Sequence, residues 1–477
     1  MDAILMKALQ LVAALSLLIL LHEFGHYIFA RIFGIKVEKF YLFFNPWFSL
    51  MRYNPAKGRL EIGTWTDKEA KERCLLNLRV GRDREAEGAK ISGWRQTIYG
   101  IGWLPLGGYC KIAGMVDESM DTEQMAKEPQ EWEFRSKPAW QRLLVMLGGV
   151  LFNFLTAIVI YIGVTFSYGE RLIRYRDAYA GMDFTPTAIQ AGFRPGDIPL
   201  MADGREVEAD EPDAPLQLAS AREVTVLRNG TDTVRISLPK DFLLDINDAG
   251  GFFAYRLPVF VESAVKGEPA AKAGLRKGDR IIAVGDSLTP SYTELITALQ
   301  AYADKATTVT VVRDGNEITR PIRPTADGKL GFNLTRLDEV YPVVVKSHSL
   351  FSSVPLGIDR GWTSLANYAS SLKYVVTPRG AKSLGGFGTL GSLFPERWNW
   401  YTFWELTAFL SIALAVMNVL PIPALDGGHV LFLLWEIVTR RPVPEKFLEY
   451  AQMTGMAFLL ALLLYVNGND IFRFLLK

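Results

Sequence analysis

Four apolar stretches constrain this 477-residue chain more than any other feature. The first covers residues 3–21, about one bilayer thickness at ~1.5 Å rise per residue. It begins without a strongly basic segment and ends without a small-x-small cleavage site, so a retained helix is expected rather than a removed leader. The second covers 143–166 and carries Asn153 in its middle, where a polar group needs a partner. The third, 404–438, exceeds one crossing and is interrupted by Pro421 and Pro423. A proline removes a backbone donor, and broken helices at membrane depth are tolerated where they line a buried or watery site. The fourth is centred on 456–466. Apolar residues make up 49% of the chain, so spans mixed with soluble parts are expected.

Charges beside the spans suggest an orientation. Arg31, Lys36 and Lys39 follow the first, Arg135, Lys137 and Arg142 precede the second, and Arg440, Arg441 and Lys446 separate the third from the fourth. By the positive-inside rule these regions are cytoplasmic, which leaves both termini and the segment from about 167 to 403 on the outer side. With a net charge of +1 nothing points to a nucleic-acid partner and none is expected, and two cysteines, Cys74 and Cys110, make no disulfide framework.

Between the first two spans, residues 51–95 are charged and are expected to be solvated. The flanking segments 40–44 and 98–112 are apolar, aromatic and Gly-rich, and read as strands or re-entrant hairpins beside the membrane, with an aromatic-anchored interfacial loop as the alternative. The outer segment contains a repeat. Residues 188–197 (AIQAGFRPGD) resemble 270–279 (AAKAGLRKGD), and 226–230 (VLRNG) echo 311–315 (VVRDG). Asn229-Gly230 and Asp314-Gly315 are hairpin signals between strand runs, so two small domains of similar fold are expected. In the first copy Pro199 falls within a strand, which favours an edge or irregular strand.

The chemistry concentrates in two motifs. His22-Glu23-Phe24-Gly25-His26 puts two imidazoles one helical turn apart on one face, the spacing that lets both reach one Zn²⁺. Glu23 then stands beside the open coordination position as the base for the attacking water. Two histidines and a glutamate at the end of a membrane span are costly unless they act together. A catalytic zinc needs a third protein ligand. The best candidate is Asp426, in the polar cluster from Asn418 to His429 inside the third apolar stretch.

These features together resemble the site-2 protease family, in its bacterial branch of RseP-type proteases that cleave anti-sigma factors. The resemblance rests on His-Glu-Phe-Gly-His near the N-terminus, the repeated Ala-Gly-x-Arg-x-Gly-Asp domains in the middle, and Asn-x-x-Pro-x-Pro-x-Leu-Asp-Gly-Gly-His near the C-terminus. It implies an intramembrane zinc endopeptidase with His22, His26 and Asp426 as ligands and Glu23 as catalytic base. It assigns substrate positioning to Asn418, Pro421, Pro423 and the tip Gly107-Gly108-Tyr109, and support of the metal site to His429, with plain packing as the alternative for His429. Gly148, Gly149 and Asn153 match a family pattern on the second span, and residues 385–390 occupy the place of a substrate-contacting segment.

The implied fold is a polytopic α-helical membrane protein with four transmembrane helices, a membrane-re-entrant β-hairpin and two extracytoplasmic PDZ-like α+β domains. The expected boundaries are a first helix with the zinc motif at 1–34, a cytoplasmic and re-entrant β region at 35–137 and a second helix at 138–168. PDZ-like domains follow at 169–257 and 258–340, then a linker with an amphipathic segment at 341–403, a third helix at 404–439 and a fourth at 447–467. The implied setting is the bacterial inner membrane, with the PDZ-like domains on the periplasmic side. The implied partners are transmembrane substrates trimmed beforehand by another protease, of the anti-sigma-factor or remnant-signal-peptide type, and the lipid bilayer. Two rival functions are a membrane-anchored zincin acting on soluble or misfolded proteins and a non-catalytic membrane PDZ scaffold.

Overall fold

The computed structural model describes residues 3–65, 73–86, 93–105, 107–115, 128–209, 214–248, 251–375 and 385–475. Contacts divide the chain into one unit of Met1–Tyr168 with His348–Leu476 and another of Gly169–Ser347.

The most apolar helices of the first unit carry apolar residues around most of their circumference, as expected where the surroundings are as apolar as the interior, while Leu350–Val375 is amphipathic. Its helices are α1 (Ala3–Ile32), α2 (Ala139–Tyr168), α3 (Leu350–Val375), α4 (Phe387–Ser392), α5 (Trp400–Val419), α6 (Asp426–Thr439) and α7 (Glu445–Leu475). Among the described residues four are long and apolar enough to cross a membrane: α1, α2, α5, and α7 over Lys446–Ile471. The stretch expected as one helix over 404–439 is therefore two helices. Asn399 caps the first, its Oδ1 accepting the Thr402 N–H at 3.0 Å. Leu420, which precedes Pro421, is forced into an extended conformation (φ −58°, ψ 138°), and Ala424 has φ 75° before the chain re-enters a helix at Asp426. The last helix runs beyond the 447–467 expected for it.

Where α1 crosses α2 there are no side chains between the backbones. A Cβ on Gly25 would lie 2.3 Å from Gly148 O, and one on Gly148 would lie 2.6 Å from Gly25 O. Small residues at such a crossing let two spans pack at backbone contact.

Between α1 and α2 lies a six-stranded sheet of β1 (Val37–Leu42), β2 (Phe44–Asn54), β3 (Arg59–Trp65), β4 (Arg73–Arg79), β5 (Ile98–Leu104) and β6 (Tyr109–Ile112), in the order β4-β3-β2-β5-β1-β6. Only β1 and β5 are parallel. The middle expected to be charged and solvated over 51–95 contains the end of β2 and both β3 and β4, with β4 exposed along its whole length; 66–72 and 87–92 lie outside the described residues. Beneath its charges runs a two-residue apolar period, Leu60/Ile62 and Leu76/Leu78, and these pair directly as Leu60↔Leu78 and Ile62↔Leu76.

The second unit carries the repeat as two sheets, beside the short strands β7 (Glu170–Leu172), β8 (Met182–Phe184) and β13 (Phe253–Tyr255). The first copy has β9 (Ile198–Ala202), β10 (Arg205–Glu206), β11 (Glu223–Arg228) and β12 (Asp232–Ser237), in the order β10-β9-β11-β12. The second has β14 (Val259–Ala264), β15 (Arg280–Val284), β16 (Ser287–Leu288), β17 (Thr307–Arg313), β18 (Asn316–Ile322) and β19 (Phe332–Leu334). Asn229, Gly230, Asp314 and Gly315 all have positive φ, as the hairpin signals predict. Pro199 sits within β9, and the register of β9 against β11 shifts beside it, which makes the strand irregular rather than an edge.

The repeat extends to atoms. Arg228 donates to Asp197 through Nε and Nη2 (2.8 and 2.7 Å) and to Gly192 O (3.0 Å). Arg313 makes the same bonds to Asp279 (2.6 and 2.7 Å) and Gly274 O (2.9 Å). In each copy the aspartate closes its Gly turn by accepting an arginine backbone N–H, from Arg194 at 2.9 Å and Arg276 at 2.8 Å. The repeated Gly-Asp and Arg-x-Gly motifs are thus two ends of one bidentate clamp.

Candidate metal centre

His22 and His26 lie one turn apart on α1, so their rings face the same side. Their Nε2 atoms are 3.2 Å apart. Asp426, the first residue of α6, places Oδ2 3.2 Å from His22 Nε2 and 3.3 Å from His26 Nε2. The three atoms form a nearly equilateral triangle. Tetrahedral coordination at ~2.0–2.1 Å separates neighbouring ligand atoms by about 3.3–3.4 Å, so this triangle fits one face of a zinc tetrahedron.

Proton positions argue the same way. His26 Nδ1–H donates to Val145 O at 2.9 Å, which leaves its Nε2 as a bare lone pair. His22 Nδ1 lies 3.1 Å from the Asn153 amide, whose Oδ1 is buried with no partner in the orientation drawn. Turning the amide by 180° sets Oδ1 to accept from His22 Nδ1–H and satisfies both groups. Both Nε2 lone pairs then converge with Asp426 Oδ2, which is itself buried without a hydrogen-bond partner. Three converging lone pairs repel unless a cation lies among them, so the donor set fits a bound metal.

The surroundings make room for these rings. A Cβ on Gly149 would stand 2.5 Å from His26 Nε2 and 2.6 Å from His22 Cε1, so α2 can approach the histidines only with glycine there. Asn153 is fully buried and held from behind by Ser411, whose Oγ donates to Asn153 O at 2.6 Å. The loop before Asp426 is held equally closely. A Cβ on Gly427 would be 2.1 Å from Leu420 O, and one on Gly455 of α7 would be 2.0 Å from Pro423 O.

The three donor residues open on a cavity of about 860 Å³, which is also lined by Glu23, Asn153, Asn418 and His429. Glu23 accepts a hydrogen bond from the Cys110 backbone N–H of β6. Asn418 Nδ2 is 3.4 Å from His22 Nε2. Gly107, Gly108 and Tyr109 line the same cavity. Gly108 packs so closely that its Cβ would meet Tyr41 O at 2.7 Å and Ile19 of α1 at 2.9 Å, while Tyr109 stacks on Tyr41. Pro421 and Pro423 do not line the cavity; they shape the turn that delivers Asp426.

Two cavity features escape sequence reasoning. Gln452 of α7 lines the cavity, and its Oε1 accepts from Ala424 N at 3.3 Å. Asp470, near the end of α7, accepts from Gly386 N (3.0 Å), Thr389 N (2.8 Å) and Thr389 Oγ1 (2.6 Å), holding the segment that brings Phe387 to the cavity. Both are polar residues in or beside an apolar helix, a signal the sequence carries but does not pair with a partner.

Known proteins share this organisation. The model of peptidase family M50 matches residues 10–57 and 87–462. RseP of Escherichia coli, a regulator of sigma-E protease, is 26% identical over 97% of this chain and 97% of its own. Metalloprotease MmpA of Caulobacter vibrioides is 25% identical over 99% and 97%. A Ralstonia nicotianae protein named for zinc metalloprotease activity is 28% identical over 99% of both chains. With two imidazoles and a carboxylate converging among helices able to cross a membrane, the chain belongs to peptidase family M50, the site-2 protease family, and is an intramembrane zinc metalloendopeptidase.

Proposed function

We propose that His22, His26 and Asp426 hold the catalytic zinc and that Glu23 is the base, in an enzyme that cleaves transmembrane segments of its substrates. The observation that carries this reading is the triangle of donor atoms at 3.2–3.3 Å with unpaired lone pairs at its centre. When bound, zinc polarises the scissile carbonyl and acidifies water. Glu23 takes the proton of the attacking water and returns it to the leaving nitrogen. Asn418 donates its amide towards the oxygen that gains charge, a contribution worth several kcal/mol in other hydrolases. His429 supports the loop of Asp426.

A peptide bond within a helix is protected by its own hydrogen bond, so the substrate must unwind. The membrane-re-entrant part of the sheet is the tip at Gly107, Gly108 and Tyr109, which leads from β5 across β1 into β6, and the edge strand β6 receives the unwound substrate by strand addition. The turn shaped by Pro421 and Pro423 positions it from the other side. β6 is the last strand of its sheet, which supports this arrangement.

The repeated domains of the second unit are PDZ-like and lie on the periplasmic side of a bacterial inner membrane. They exclude substrates whose outer domain has not been trimmed by another protease. Substrates of the anti-sigma-factor class fit the relatives named as regulators of sigma-E protease, and remnant signal peptides present the same chemistry.

The test is cleavage of a model membrane substrate by wild type, Glu23→Gln and Asp426→Ala, with zinc measured in each. Glu23→Gln is expected to keep zinc and lose cleavage, and Asp426→Ala to lose both. Equal cleavage by Glu23→Gln and wild type would refute the mechanism. Zinc and activity retained by Asp426→Ala would favour a membrane-anchored zincin with a different third ligand.

A further inference from the structure

Residues 58–86 lie in the gap between the two segments matched by the family model, and they hold both strands of the β3–β4 hairpin. Among the described residues the hairpin extends the sheet to an edge at β4. Register shows what it adds. One row across the sheet pairs Leu76 with Ile62, Ile62 with Met51, Met51 with Ile101 and Ile101 with Leu42. The next pairs Leu78 with Leu60, Leu60 with Tyr53, Tyr53 with Tyr99 and Tyr99 with Phe40. Directly paired residues share a face, so one face is apolar across five strands. On the other face, rows pair Asn77 with Glu61 and Arg52, and Arg79 with Arg59 and Asn54, while nearer the tip Leu75 covers Gly63 and Trp65 packs on Phe48.

The apolar face is open at its outer end. Met51, Ile62, Leu76 and Leu78 are 37%, 38%, 47% and 43% exposed. At its inner end the face meets α1, where Tyr27 packs on Phe40 and Tyr99 and its hydroxyl bonds that of Tyr99 at 2.7 Å. The lipid that surrounds α1 therefore adjoins the same face. The hairpin does not insert end-on, because the connection after Trp65 carries Asp67, Lys68, Glu69, Lys71 and Glu72, and the opposite end carries Arg82, Asp83, Arg84 and Glu85. Charge at both ends, and at Glu61, Arg59 and Arg79 on the other face, leaves the Leu60, Ile62, Leu76 and Leu78 face as the continuous apolar surface, although Leu75 and Trp65 are exposed on the other face near the tip.

We propose that the β3–β4 hairpin lies flat on the lipid surface, with the face of Leu60, Ile62, Leu76 and Leu78 against the acyl chains and the face of Asn77 and Arg79 turned to water. The proposal rests on α1 crossing the bilayer. Its occupant is phospholipid rather than a protein partner, because the surface is continuous with that span.

The test uses the full chain with Cys74→Ser and Cys110→Ser, carrying one nitroxide-labelled cysteine at a time at position 76, 77, 78 or 79, in phospholipid nanodiscs. Collisions with oxygen, which partitions into lipid, are compared with collisions with a water-soluble nickel chelate. The oxygen-to-nickel ratio is expected to be severalfold higher at 76 and 78 than at 77 and 79. A label replacing Leu9, exposed on α1, serves as the control for the span. With that control in lipid, four nickel-accessible labels on β4 would overturn the proposal, and so would labels at 76 and 78 shielded from both probes, which would mean a protein covers the face. A nickel-accessible label at position 9 would overturn it through its foundation, the reading of α1 as a span.

Discussion

Asp426 Oδ2 lies 3.2 Å from His22 Nε2, although one residue opens α6 near the C-terminus and the other sits on the first helix. The approach depends on backbones rather than side chains. Gly25, Gly148 and Gly149 bring α1 and α2 together, while Gly427 and Gly455 press the Pro421–Pro423 turn into place. Close packing of this kind transmits small changes in volume directly to the metal ligands.

Gly149→Ala should therefore empty the metal site without unfolding the chain. Its new methyl would stand 2.5 Å from His26 Nε2, and neither ring can retreat within its helix crossing. Gly163→Ala, on the same helix with nothing within 4 Å, is the matched control. Zinc content of the two purified variants is the measurement; equal zinc would contradict the geometry.

Asn153→Leu removes the amide that fixes His22. Loss of such a supporting group costs roughly 10–100-fold in metal affinity elsewhere. Chelator competition should show a loss of that size, with Asn153→Gln recovering little because its longer side chain cannot keep the contact between α2 and His22.

The clamp in the second repeat makes a pH prediction. Burial raises the Asp279 carboxyl, but the paired bonds from Arg313 and the Arg276 amide outweigh it and hold the group below the usual carboxylate range. A carboxyl depressed in the folded state stabilises above its unfolded value, about 3.9, and loses that contribution as pH falls through the folded value. Protection factors of the β15 and β17 amides, taken relative to the intrinsic exchange rate at each pH, should hold steady down to about pH 4 and fall below it. Arg313→Leu leaves a buried, unpaired carboxylate and should cost about 3 kcal/mol near neutral pH, read as faster exchange in the same strands.

Asp470→Ala should free the Gly386–Thr389 segment. Bonds to a charged acceptor contribute about 1.5–3 kcal/mol each, so exchange of the Gly386 and Thr389 amides should rise roughly 10–100-fold. Unchanged exchange would show that the segment is held by packing of Phe387 instead.

Much of this molecule is legible in its sequence because the signals are local. The spacing of His22 and His26 is one helical turn, the hairpins at Asn229-Gly230 and Asp314-Gly315 need residues that accept positive φ, and the prolines at 421 and 423 break a helix wherever they stand. The strands over 59–65 and 73–79 were hidden because charges between the apolar positions read as solvated chain, while period two emerges only against a partner strand.

What the tertiary structure alone decided is which distant groups meet: Asn153 with His22, Asp470 with Gly386, Arg313 with Asp279, and the orientation of three donor atoms towards one point. A sequence fixes the helical turn on which a side chain sits through local sterics. Its long-range partner depends on how closely two backbones approach, and here glycines at the crossings set that distance.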